Sequence, residues 1–241
     1  MEDRLSVGHG PDTAKRPSPI TGPEDFAEAF KVPRETIHRL ELYADLLKEW
    51  QGRHNLVAPS TLDEIWERHF ADSAQLLALA PDAKTWLDLG SGAGFPGLVI
   101  AIINANHAKF RMHLVESTGK KCAFLAEVAR VTEAPVEIHG MRIEELKRSA
   151  TSLAPDVVSA RALAPMPRLL ELSAPFFGPH TRGLFLKGRE VQAELDAARR
   201  DWDFDCKLHR SVTSEDSAIV EMTRLEGLGP KRARRLHEDR T

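Results

Sequence analysis

The chain has 241 residues, 42% of them hydrophobic, enough for one sizeable core plus a small extension. A formal net charge of −3 excludes a global basic field, so any nucleic-acid contact needs a local patch. Two cysteines make neither a disulfide framework nor a zinc signature, and no apolar run reaches the roughly 20 residues of a membrane span, so a soluble, cytoplasmic chain with no metal and no membrane partner is expected.

Residues 1–22 carry Gly8, Gly10, Pro11, Pro17, Pro19 and Gly22 among few large apolar side chains. Such a segment buries too little surface to offset its ordering entropy, and a disordered tail is expected. A helical extension is expected over 23–82. Within it Ile37, Leu40, Tyr43, Leu47 and Trp50 recur at three- and four-residue steps and predict an amphipathic helix over 34–50. Thr61 and Glu64 have the spacing of a capping box, and Ile65, His69, Ser73, Leu76 and Leu77 trace one face of a second helix ending before Pro81. From 83 to 226 strand and helix patterns alternate, which predicts βαβ units and a mostly parallel sheet. Strands are expected at 84–89, 111–116, 135–138, 155–159, 182–187, 204–212 and 217–225, with helices at 96–106, 119–132, 142–149, 165–177 and 190–200. The last two strands have only a short turn between them and are expected to form an antiparallel hairpin at the sheet edge. That layout is the seven-stranded, mostly parallel sheet of an α/β, class I S-adenosylmethionine (SAM) methyltransferase fold. Residues 227–241 are expected to form a basic tail; the C-terminal cations, from Arg224 to Arg240, suit either a plain solvated tail or contact with a nucleic-acid backbone.

The chemistry gathers at strand ends. Trp86-Leu87-Asp88-Leu89 runs into Gly90, Gly92, Gly94 and Gly97, with Phe95 and Pro96 inside the turn. Open α/β sheets bind nucleotide-like cofactors at such a strand–turn–helix junction, where glycine permits positive φ and close approach. Glu116 follows the next strand, where a carboxylate accepts ribose hydroxyls; SAM and NAD both remain open on this ground. Ile143 and Glu144 open the helix after the following strand, beside the position expected for an adenine ring, although Glu144 also suits a plain first turn. Arg161 leaves the fourth strand where the reacting methyl would sit and is the candidate catalytic residue. Lys187 and Arg189 flank Gly188 at the end of the fifth strand and, with His69 on the preceding helix, are candidate RNA contacts. The segment after Asp156 lacks an Asn-Pro-Pro-Tyr-like motif for an exocyclic amine, and neither cysteine follows a proline as a pyrimidine-carbon nucleophile would; Arg161 there suggests an anion or acceptor atom nearby, whether a phosphate, the methionine carboxylate or a purine O6/N7 edge.

Several segments in this order carry a resemblance. They are Asn55-Leu56, Arg68-His69-Phe70-Ala71-Asp72-Ser73, Leu87 through Gly97, Leu114 through Leu125, Ser159-Ala160-Arg161-Ala162-Leu163-Ala164-Pro165 and Leu186-Lys187-Gly188-Arg189. From about residue 34 to 225 the chain resembles the RsmG (GidB) family of SAM-dependent methyltransferases, which act on guanosine N7 of bacterial small-subunit ribosomal RNA. The resemblance implies SAM as cofactor and rRNA within an assembled or assembling 30S subunit as partner. It implies a cofactor pocket at Gly90, Phe95, Glu116, Ile143, Glu144 and Arg161. The family has Ala-Glu where this chain has Ile143-Glu144. Two other readings stand beside it: a non-catalytic RNA-binding ribosome assembly factor, and an NAD-dependent oxidoreductase.

Overall fold

A computed structural model describes residues 5–7, 19–149 and 153–228. Two helices open the main body, α1 (Pro23–Phe30) and α2 (Arg34–Gln51). Ile37, Leu40, Tyr43, Ala44 and Leu47 fall on one stripe of α2 and are buried. At its end the Gln51 side chain accepts from the N–H groups of Leu56 and Val57 and donates to Val57 O, which closes the loop back on the helix.

The expected helix over 61–80 is a composite. A 3₁₀ turn at Pro59–Thr61 is followed by a π-helical stretch, Trp66–Ala71, a short α3 (Asp72–Ala74) and a second 3₁₀ turn, Gln75–Leu79. The capping box does not form. Thr61 Oγ1 instead donates to Ala58 O at 2.7 Å and lies 2.8 Å from His69 Nε2. Two other nearby partners take the hydroxyl in place of the cap, and wide helical turns of this kind occur mostly as short pieces at functional sites.

The rest alternates as expected: β2 (Thr85–Leu89), α4 (Gly97–Ile103), β3 (Arg111–Val115), α5 (Gly119–Thr132), β4 (Val136–His139), α6 (Ile143–Ser149), β5 (Val157–Arg161), α7 (Met166–Ser173), β6 (Arg182–Lys187), α8 (Val191–Ala198), β7 (Trp202–Arg210) and β8 (Ala218–Gly227). The sheet order is β1-β7-β8-β6-β5-β2-β3-β4, parallel except where β8 pairs with β6 and β7. Seven of these strands are the expected ones. The eighth, β1 (Leu5–Val7), departs from the expectation of an unstructured tail: it pairs parallel with β7 and covers the hairpin strand expected at the edge. Ordering also starts before residue 22, since Ile20 is buried and Thr21 bonds Asp25. Residues 1–4 and 8–18 of the expected tail, and 229–241 of the basic one, lie outside the described residues. Arg224 belongs to β8, where its guanidinium is held by Asp203 and Asp205.

Side chains alternate across the sheet. Trp86, Met112, Leu114, Leu184 and Leu186 face α1, α2, α4 and α5; Leu87, Leu89, Val115, Val158 and Phe185 face α6, α7 and α8. The N-terminal helices are therefore one wall of the main core. Tyr43 shows how tightly they are joined: fully buried, it donates its hydroxyl to Ala93 O in the glycine turn and stacks on Phe95 at 5.3 Å.

Tyr43→Phe keeps the ring and leaves a buried carbonyl without its partner. We expect about 1–2 kcal/mol of lost unfolding free energy in chemical denaturation, with unchanged secondary structure. Wild-type stability would show that the bond contributes nothing.

Candidate active site

In a doubly wound sheet the ligand crevice lies where the chain reverses direction across the strands. Here β2 runs out to β3 and β4, and the chain then crosses back to β5 on the other side of β2. A cleft of about 820 Å³ lies over the carboxyl ends of these strands. Its walls include Gly90, Gly92 and Phe95 from the turn after β2, Arg161 through Pro165 after β5, and Arg68, His69 and Asp72 from the π-helical stretch and α3.

Three glycines of the turn have positive φ: Gly90 at 67°, Gly92 at 57° and Gly94 at 99°. At Gly94 the reason is packing, since a Cβ would stand 2.5 Å from Leu98 Cδ1 and 2.7 Å from Tyr43 Oη. At Gly92 a Cβ would meet nothing nearer than Gly90 O at 3.8 Å and would project into the cleft. Asp88 holds the turn from beneath. Wholly buried, its Oδ1 accepts from Ser159 Oγ at 2.8 Å and its Oδ2 from Gly97 N at 3.3 Å, which ties β2 to β5 and to the start of α4. Burial raises its carboxyl pKa to about 6, against the hydrogen bonds from Ser159 and Gly97. Glu116 fixes the turn from the β3 side: Oε2 accepts from Gly92 N at 3.0 Å and Oε1 from Thr118 N at 2.8 Å.

Arg161 is the node on the opposite wall. Nη1 donates to Arg68 O at 3.0 Å and lies 3.3 Å from Asp72 Oδ2; Nη2 donates to His69 Nδ1 at 2.9 Å. The guanidinium lies 4.7 Å above the Phe95 ring, and His69 stacks on the same ring at 4.6 Å. Asp72 Oδ1 accepts from Gln75 and from Thr213 Oγ1, which joins this cluster to the β7–β8 turn. A guanidinium only donates, so His69 Nδ1 must be an acceptor and the imidazole proton sits on Nε2, directed at Thr61 Oγ1. Thr61 passes the chain on to Ala58 O.

The expected site residues divide. Gly90, Gly92, Phe95, Arg161, His69 and Lys187 share the cleft. Gly94 supports the turn from behind, and Glu116 stands beside it. Ile143 does not reach the cleft: it is buried in the second core, which takes up its extra bulk. Glu144 is exposed and paired with Arg168. Lys187 is committed internally, with Nζ 2.5 Å from Glu194 Oε2 and donating to Ala164 O at 2.9 Å. Arg189 lies on the outer surface, paired with Asp216 at 2.6 Å. Tyr43, Thr61, Asp72 and Thr213 were not singled out as site residues: Tyr43 reads as part of a helical stripe, Thr61 as a helix cap, Asp72 as one residue of a longer shared segment, and Thr213 as part of the turn between the last two strands.

Burial, with Arg161 and Arg68 as neighbouring cations, lowers the His69 pKa to about 3. The unfolded ring, at about 6.5, binds a proton that the native ring refuses, so this group's stabilisation is full above pH 6.5 and is lost as pH falls toward 3. NMR should find the His69 ring neutral and protonated at Nε2 throughout pH 5–8. A ring titrating near 6.5 would break the assigned tautomer and its bond to Arg161.

The GidB family model, described as rRNA small subunit methyltransferase G, matches residues 36–222. A protein of that name from Parvibaculum lavamentivorans is 49% identical over 209 residues, covering 86% of this chain and 92% of the relative. Another from Rhodopseudomonas palustris is 45% identical over 228 residues, covering 92% of each. Among solved structures, a putative O-methyltransferase from Klebsiella pneumoniae aligns over 75% of this chain and 89% of its own, at TM-score 0.51 and 15% identity. Aeropyrum pernix fibrillarin with natively bound S-adenosyl-L-methionine aligns over 65% and 75%, at TM-score 0.50 and 15% identity. At such identities the structural likeness speaks for the fold alone, which is that of class I SAM methyltransferases. The chain belongs to the GidB family, the rRNA small subunit methyltransferases G.

Proposed function

We propose that this chain transfers the methyl group of SAM to N7 of a guanosine in small-subunit ribosomal RNA, in the cytoplasm, with the assembled or assembling 30S subunit as substrate. The observation that carries the reading is the glycine turn at the β2/β5 switch point, facing a cleft wall built by Arg161, His69 and Asp72. The NAD-dependent reading gives way to the family membership.

The residues fit SAM on geometry. Gly90 and Gly92 present bare backbone to the cleft, and a Cβ on Gly92 would fill space a ligand needs. Glu116 spends one lone pair of each oxygen on a backbone N–H and keeps acceptor capacity for ribose hydroxyls. SAM held there would supply an electrophilic methyl on a sulfonium, with a neutral thioether as leaving group and the N7 lone pair as the acceptor. N7 has no proton to lose, so the protein's task is in-line alignment, which is worth several kcal/mol. Arg161 serves that task as part of a rigid wall. Three of its five N–H groups are taken up by Arg68 O, Asp72 and His69, leaving the others for an acceptor on the ligand. Asp72 balances its charge, so the wall does not oppose the positive charge that the purine gains. Among the basic side chains of the cleft, Arg68 is exposed and Lys121 half-buried, and both suit RNA phosphate better than the internally paired Lys187.

The test is incubation with methyl-labelled SAM and unmethylated small subunits, followed by digestion of the RNA. Label is expected in 7-methylguanosine. Gly92→Val, whose β-branched side chain is strained at φ 57°, is checked for folding by circular dichroism and should lose SAM binding by calorimetry and give no labelled product. Label in another nucleoside would reject the N7 acceptor. SAM affinity kept in Gly92→Val would reject the pocket. Association with the subunit without SAM binding would favour the non-catalytic assembly factor.

A further inference from the structure

The β3–β4 pairing creates a cluster that the methyl-transfer site does not use. In the register of these parallel strands His113 stands opposite Glu137 and Val115 opposite His139. Glu137 and His139 are two apart on β4, so their side chains share a face with that of His113. His113 Nδ1 lies 3.1 Å from His139 Nε2 and 3.5 Å from Glu137 Oε2, and His139 Nε2 lies 3.8 Å from Glu137 Oε1. The rings stack at 5.3 Å, with side-chain exposures of 16% for His113 and 12% for His139, while Glu137 is 66% exposed. None of the three lines the cleft over β2 and β5. Among the described residues this is the one group of three such ligands whose donor atoms converge.

We propose that His113, Glu137 and His139 bind a divalent transition ion, Zn²⁺ being the ion they fit best, at the edge of the sheet. Zinc bonds to imidazole nitrogen and carboxylate oxygen run about 2.0–2.2 Å, so the donor atoms of a tetrahedral site stand roughly 3.3 Å apart. The two imidazole nitrogens stand near that value at 3.1 Å, and Glu137, whose two oxygens lie 3.5 and 3.8 Å from the two rings, needs a side-chain rotation to bring one oxygen onto the ion. Two imidazoles and one carboxylate are a donor set for zinc-like ions rather than for magnesium or calcium, which take oxygen. The exposed side of Glu137 leaves the fourth position to water.

Proton bookkeeping is consistent with the site. In the metal-free chain the two facing nitrogens share one hydrogen bond, so one of them carries a proton. In the bound state both present lone pairs, and the N–H groups sit on His113 Nε2 and His139 Nδ1. The nearby cation, Arg111, turns away: its Nη1 donates to Ala108 O and Phe110 O. The bound ion would clip β4, the edge strand, to β3. Its role is structural.

Tag-free, chelator-treated full-length protein tests this with ZnCl₂ in calorimetry, thermal unfolding with and without ZnCl₂, and the visible spectrum of a Co²⁺ titration. We expect one Zn²⁺ equivalent, a Tm raised by several degrees, and the intense absorption of tetrahedral Co²⁺, bleached by Zn²⁺. His113→Gln and His139→Gln should each weaken binding about a hundredfold and remove the Tm gain; Glu137→Gln, at an exposed position that spares the fold, should weaken it about tenfold. Circular dichroism checks that the variants fold. Wild-type protein that binds no Zn²⁺, or binds it as well as these variants do, overturns the proposal. So does a weak, octahedral Co²⁺ spectrum.

Discussion

The cleft depends on one buried carboxylate. Asp88 sits in the central strand with no access to solvent, and taking an ionised group out of water costs several kcal/mol. That cost is offset by a hydroxyl from β5 and a backbone N–H from the start of α4. The two bonds fix where the chain leaves β2, how far β5 stands from it, and where the first helix begins. With those three settled, the turn presents the backbone of Gly90 and Gly92 to the cleft. An alanine in place of Asp88 would leave the partners from both neighbours buried and unpaired.

The opposite wall is assembled rather than inherited from the sheet. Arg161 comes from β5, but every group its guanidinium touches comes from elsewhere: Arg68 O, His69 and Asp72 from the N-terminal segment, Phe95 from the glycine turn. Tyr43 of α2 reaches the same turn through Ala93 O. The helices before the sheet are therefore as much part of the site as the strand ends. An acid–base role for His69 finds little support, because burial and two cations keep its ring neutral and Arg161 occupies its free lone pair. Its work is to hold Arg161 in place, and Thr61 in turn holds the ring.

Legibility followed the range of the interaction involved. Helix α5 begins and ends where its pattern predicts, because its apolar spacing and flanks are local. The β7–β8 hairpin was legible from its short turn. The stretch 61–80 was not: several partners within a few residues compete for the Thr61 hydroxyl, and Ala58 O and His69 engage it in place of Glu64. Leu5–Val7 was misread because a three-residue strand needs only a neighbouring edge, which no property of residues 1–22 reveals. Glu144 and Lys187 had the right chemistry at plausible strand and helix ends, but Arg168 and Glu194 engage them.

The sequence by itself determined the alternating α/β order, the glycine turn after β2, and the family, since these rest on spacing within a few residues or on motifs in a fixed order. Tertiary structure alone decided which strand lies beside β2, that Asp72 and His69 meet Arg161 about ninety positions away, and that His113 meets Glu137 and His139 across two paired strands. The physical reason is register. Side-chain period and turn chemistry are written along the chain, whereas the pairing of distant strands is set by how whole faces bury, and a shift of one residue would turn a strand's groups, such as Glu137 and His139, to the other side of the sheet.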